Sequence, residues 1–183
     1  MSNVFFIGNP CNNIGDEASM KGAIYGLTRY VDNCKLILSK SGSLDKDGIA
    51  QFVTETIEDE SFFSSKNIIK FSFQVFLKNN TSASRAFNDS NIIVFAPGSC
   101  GIHKRNYAHW IKVLIMVILC RIRKKKVAFH APSMGPFENR HLRILKYIIN
   151  NVDVLTLRDN TSIQNLKDTR VNFRAVFNTV GDI

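Results

Sequence analysis

Val4-Phe5-Phe6-Ile7, followed by Gly8-Asn9-Pro10-Cys11-Asn12-Asn13-Ile14-Gly15-Asp16-Glu17-Ala18, reads as an apolar strand, a polar Gly/Asn turn and the start of an amphipathic helix. In α/β folds the turn of such a unit faces the ligand crevice. The helix, expected near 16–31, carries Met20, Ala23, Ile24, Leu27, Tyr30 and Val31 on one stripe. The same alternation recurs downstream. Candidate strands are 3–7, 35–39, 67–71, 91–96, 126–131, 152–157 and 171–177, with further helices near 107–123, 138–150 and 160–167. Several strands are almost continuously apolar, as strands buried on both faces are. The pattern predicts a doubly wound, mainly parallel, Rossmann-like α/β sheet.

The middle of the chain is less regular. Residues 40–66 read as a loop plus one helix around 46–58, and 72–90 as a helix interrupted by Asn79-Asn80-Thr81-Ser82. No internal repeat or low-complexity linker divides the chain, so 1–183 reads as a single α/β domain.

With 183 residues, 45% hydrophobic and 21% charged, the chain can bury one sizeable core. The apolar start is too short for a secretory h-region and lacks a basic n-region, so a cytoplasmic location is expected. Lys112 interrupts the longest apolar run, Ile111 to Cys120. A membrane span needs about 20 apolar residues. This segment therefore reads as a buried helix, with Trp110, Val113, Leu114 and Val117 inside. Cys11, Cys34, Cys100 and Cys120 lack metal-ligand or disulfide spacing and read as reduced thiols.

The net charge is +9, and part of it is the block Arg121, Arg123, Lys124, Lys125 and Lys126 at a helix end. Cations there complement the helix dipole and read first as a solvated face, with peripheral contact to anionic lipid as the alternative. No nucleic-acid-binding pattern accompanies them.

Ligands in open α/β sheets lie outside the carboxyl ends of the strands. Four loops follow candidate strands and are expected on one rim. The first, Gly8 to Glu17, offers backbone N–H groups and the carboxylates of Asp16 and Glu17, which read either as helix-capping acids, with Asp16 as the N-cap, or as a base or an anchor for a ligand hydroxyl. In the second, Ala96 to Lys104, Gly98 and Gly101 permit close backbone approach, while Pro97 removes a donor.

The third loop runs from His130 to Phe137. Ser133 can donate a hydroxyl hydrogen bond there, Gly135 avoids a side-chain clash, and Pro136 pre-sets φ before the next helix. His130 reads first as a satisfied core residue. In the fourth, Val152, Val154, Thr156 and Arg158 share a strand face, and Asp159 is the expected N-cap of the next helix. Arg158 suits a carboxylate or phosphate ligand; the alternative is an Arg–Asp partnership that only ties the rim together.

Asn13-x-Gly15-Asp16-Glu17-Ala18, Ser133-x-Gly135-Pro136-Phe137 and Arg158-Asp159-x-x-Ser162, in this order and spacing, resemble the polysaccharide pyruvyl transferase family. The resemblance spans Asn3 to Asp182 but only the N-terminal part of the family's length. It implies the N-terminal half of a glycosyltransferase-B-like two-domain enzyme, with the C-terminal domain missing. The family transfers the pyruvyl group of phosphoenolpyruvate to a sugar diol as a ketal. The resemblance thus implies phosphoenolpyruvate as donor substrate, no separate cofactor, and a glycan or lipid-linked saccharide of the cell surface as acceptor.

On this chain the resemblance points to Asp16 and Arg158 as catalytic. Asn13, Gly15, Glu17, Gly98, Ser133, Gly135 and Ser162 are the expected substrate contacts. A nucleotide-sugar glycosyltransferase domain and a non-catalytic glycan-binding remnant remain open as alternatives.

Overall fold

Val4 and Phe6 face one side of the first strand and Phe5 and Ile7 the other, and all four are fully buried. A strand apolar on both faces must lie inside a sheet covered on both sides. The computed structural model describes residues 3–7, 14–30, 35–40, 53–58, 65–77, 81–96, 107–173 and 177–179. Their strands are β1 (Asn3–Ile7), β2 (Lys35–Lys40), β3 (Val53–Glu58), β4 (Ile92–Phe95), β5 (Lys126–Phe129), β6 (Val154–Leu157) and β7 (Phe177–Thr179). They form one sheet in the order β3-β2-β1-β4-β5-β6-β7, parallel throughout, with β3 at one edge. The chain winds outward from β1 to β3, then returns to β4 and winds the other way. The order therefore reverses between β1 and β4, the place where such sheets open a crevice.

The helices are α1 (Ile14–Tyr30), α2 (Ser65–Phe76), α3 (Ser82–Asp89), α4 (Tyr107–Ile122), α5 (Leu142–Asn150) and α6 (Asn160–Asp168). Met20, Ala23 and Ile24 of α1 cover Val4, Phe6, Val94 and Ala96 on one face. The other face carries the larger core, into which α2 to α6 pack. There Phe95 and Phe129 meet edge to face at 4.9 Å, and Trp110, Val113 and Val117 of α4 are fully buried. Leu114 packs against this core from a partly buried position. No helix among the described residues is long and apolar enough to cross a membrane.

Three sequence expectations need correction. Residues 67–71 lie in α2, not in a strand. The alternation of Ile69, Phe71, Phe73 and Val75 mimics a strand, yet the buried set is Ile68, Phe71 and Val75, a helical spacing. The helix around 46–58 is replaced, where described, by the edge strand β3 over Val53–Glu58. Its alternating Val-Thr-Glu-Thr-Ile-Glu carries β-branched residues at four of six positions, which favours extended backbone. The strand expected at 171–177 is displaced to β7, which shares only Phe177 with it, and 171–173 are irregular after a turn in which Arg170 has φ 54°. Elsewhere the boundaries shift by a few residues. The interruption near Thr81 holds, since Thr81 caps α3 through Ser84 N–H.

The basic block is more than a solvated face. Arg121 and Lys126 both pair with Asp153, each at 3.2 Å. Arg123 donates to Val75 O at the end of α2 and lies over the Phe76 ring. Lys125 is buried and donates to Asn88 O and Ser90 O at the end of α3. Burial pushes its ammonium pKa down. Cations of α4 and its following turn thus satisfy the orphan carbonyls of neighbouring helices. Cys120, the last fully buried side chain of α4, is a free thiol whose pKa burial pushes up to about 12, so it is chemically quiet. The other three cysteines lie outside the described residues.

Candidate functional site

Ile7, Phe95 and Phe129 stand level in the parallel register, so β1, β4 and β5 end together on one rim. β6 pairs Leu155 with Phe129 and runs on to Leu157, which lifts the next residue, Arg158, above that floor. Every sequence-predicted site segment that is described starts from this rim. Asn13 and Gly98 lie outside the described residues.

Two segments meet directly. The turn after β6 opens α6, with Asp159 as N-cap: its Oδ1 accepts the Ser162 N–H at 2.6 Å. The Ser162 side chain is buried, and its Oγ accepts the Met134 N–H at 2.9 Å. Asn165, one helical turn on, donates Nδ2 to Met134 O at 2.8 Å. Ser162 and Asn165 therefore hold both backbone groups of Met134.

The adjacent Gly135 is buried with φ 92°, and a Cβ there would meet Asn165 Cβ at 2.6 Å. Only glycine combines that backbone with that approach. The Gly135–Pro136 peptide is cis, and the helical turn begins only at Asn139, so Pro136 shapes the loop instead of starting the helix. Arg158 N–H reaches Pro132 O at 3.5 Å, a second link between the two segments.

Upon this frame stand two free polar groups. Ser133 is half-buried and makes no hydrogen bond among the described residues. Arg158 is exposed with no ion pair there, and the neighbouring Asp159 carboxylate is occupied by its own cap. A hydroxyl donor and a guanidinium fork on two linked segments are the groups that suit an anionic oxygen ligand. His130 is half-buried, and desolvation pushes its pKa down, so it is neutral at pH 7. Its Nδ1 lies 3.4 Å from Thr156 Oγ1, which also accepts the Ala131 N–H at 3.1 Å where the backbone turns to φ 48°.

Asp16 and Glu17 belong to the first turn of α1, with Gly15 beside them. Asp16 is inside the helix, which starts at Ile14, so it is not the N-cap. α1 runs antiparallel to β1 and puts this turn at the same rim. It rises beside a different strand from Arg158: β1 and β6 are three strand spacings apart, about 14 Å between their axes. The site has two stations, one above β1/β4 and one above β5/β6.

Sequence reasoning missed Thr156, Asn165 and the aromatic support of the loop. Phe137 meets Trp110 edge to face at 5.8 Å, and His141 lies between Trp110 and Tyr107 at 4.9 and 5.3 Å. Asn165 was findable: it sits one helical turn beyond Ser162 on the same side of α6. Nothing local marks His141, since the stack forms across three elements. Among the described residues no group of three His, Cys, Asp or Glu could hold a metal ion.

Residues 13–178 match the family model described as polysaccharide pyruvyl transferase. No curated protein matches the chain significantly. Two solved structures share its fold. One is a candidate UDP-N-acetylglucosamine 2-epimerase from Listeria monocytogenes, at TM-score 0.54 and 8% identity over 93% of this chain and 43% of that one. The other is HepE from Anabaena in complex with UDP, at TM-score 0.52 and 11% identity over 97% of this chain and 44% of that one. The chain spans less than half the length of either structure.

Proposed function

The chain belongs to the polysaccharide pyruvyl transferase family, and we propose that it supplies the N-terminal wall of an enzyme that ketalises a sugar diol with phosphoenolpyruvate. The observation that carries this reading is the joined pair of segments at β5 and β6. A frame of buried Gly135 and Ser162 with half-buried Asn165 there carries Arg158 and the Ser133 hydroxyl, neither of which has a side-chain partner among the described residues.

In the proposed reaction both acceptor oxygens end on C2 of the donor. One hydroxyl adds across the enol double bond, and a proton passes to the methylene carbon, making it a methyl group. The second hydroxyl displaces phosphate from C2, and its proton leaves with the phosphate. Arg158 binds the phosphate or carboxylate and offsets the charge that grows on the leaving group. Asp16, at the β1/β4 station, takes a hydroxyl proton from the acceptor. The separation of about 14 Å between the two strands suits a donor and an acceptor lying end to end.

A guanidinium on one wall, with solvent on the other side, holds an anion weakly. Residues 1–183 are therefore expected to bind phosphoenolpyruvate weakly and salt-sensitively, without measurable turnover. The test pairs phosphate release from phosphoenolpyruvate, in the presence of a diol saccharide, with ligand-induced NMR shifts. Arg158→Ala should abolish the shifts while leaving the fold intact, a loss of about 1.5–3 kcal/mol. Shifts unchanged in the variant would assign Arg158 to the frame. Turnover of a nucleotide sugar, with no phosphate released from phosphoenolpyruvate, would replace this reaction by glycosyl transfer.

A further inference from the structure

α2 buries Ile68, Phe71 and Val75 and leaves a second apolar stripe in solvent. Ile69, Phe73, Phe76 and Leu77 are 55%, 63%, 49% and 73% exposed. Their spacing of four, three and one places them on one side of the helix. Ile122, at the end of the neighbouring α4, is exposed as well. Scattered exposed apolar residues are ordinary, but a contiguous stripe with two phenylalanines marks a contact surface.

The charge of the sequence that carries the stripe bears on its partner. Between residues 61 and 137 lie twelve of the 24 Lys and Arg but only one of the 15 Asp and Glu, namely Asp89. This stretch builds α2, α3 and α4, which cover the same face of the sheet. Four of its cations are engaged within the protein, as described above, while Lys70 and Lys124 are exposed. A second copy would bring one cationic layer against another. An anionic bilayer offers the opposite: headgroup charge for the lysines and an acyl boundary for the stripe.

We propose that the outer side of α2 docks the protein on an anionic phospholipid surface, with Ile69, Phe73, Phe76 and Leu77 entering the headgroup–acyl boundary. α2 covers a face of the sheet and not its carboxyl rim, so the docked protein keeps the rim open. The proposal does not depend on which reaction the rim performs.

The full 183-residue chain is mixed with vesicles of phosphatidylcholine alone, or of phosphatidylcholine and phosphatidylglycerol in equal parts, and sedimented. Binding to the mixed vesicles only, released by added salt, is the expected result. Phe73→Ser/Leu77→Ser should weaken binding about tenfold or more, with unchanged circular dichroism. Lys70→Glu/Lys124→Glu should weaken it by charge alone. Wild-type binding retained in either double variant overturns the proposal, as does equal binding to neutral vesicles. A dimer in sedimentation velocity that Phe73→Ser/Leu77→Ser dissolves would overturn it too, by assigning the stripe to a second copy.

Discussion

The two ends of the sheet use their cations in opposite ways. At the amino end, Arg121 and Lys126 hold Asp153, Arg123 holds the end of α2, and Lys125 is buried against the end of α3. At the carboxyl end, neutral hydrogen bonds and one tight glycine build the frame, and Arg158 stands on it without an ion-pair partner among the described residues. Charge that is consumed internally stabilises the fold. Charge that a finished frame leaves unpaired is available to a ligand. A run of five basic residues in sequence is thus less informative about function than one arginine behind a strand.

The strongest challenge to this contrast is Gly135→Ala. Its Cβ would collide with Asn165 in a backbone conformation that L residues rarely adopt, so a loss of about 2–3 kcal/mol is expected in urea unfolding. A loss near zero would mean that the carboxyl-end frame is loose. Next is Lys125→Met, which keeps the stem but orphans Asn88 O and Ser90 O. About 2 kcal/mol should disappear, and a neutral result would show that the amino-end cations are decorative.

Asp153→Asn should cost less, about 1 kcal/mol, because its ion pairs are partly solvated. Burial alone would raise the Asp153 pKa, but hydrogen bonds from Val127 N–H and Lys126, with the charges of Arg121 and Lys126, outweigh it and hold the carboxyl below its usual value. Its stabilisation is complete above the unfolded value of 3.8 and is lost as pH falls through the lower folded value. Asp153→Asn should therefore flatten the acid limb of a thermal-stability profile below about pH 4. Smallest is Arg158→Ala, expected to change stability by no more than about 0.5 kcal/mol. A large loss would move Arg158 from the ligand to the frame.

How legible this molecule is in its sequence depends on whether a feature is local. β1, α1, α4 and β6 declare themselves through buried runs and helical stripes. Asp159 is readable as a cap because capping is a three-residue event. α2 misleads because two apolar stripes overlap on it: one faces the core, the other solvent, and together they imitate a strand. Asn165 is signalled by its place one helical turn beyond Ser162, whereas Thr156 and His141 acquire their roles only when separate elements meet, so no window of sequence contains the reason. The same holds for Lys125, whose partners lie on α3.

The order of the sheet leaves β3 as an outer strand, and backbone groups on its far side have no partner within the sheet order. Such an edge invites strand addition from another molecule. Val53-Thr54-Glu55-Thr56-Ile57-Glu58 carries two glutamates, and Asp59 and Glu60 follow at once. Edge-to-edge pairing of two copies through β3 would bring this acid-rich sequence against its like. Four of the protein's 15 acids fall within residues 55–60, so repulsion between like strands opposes growth at that edge.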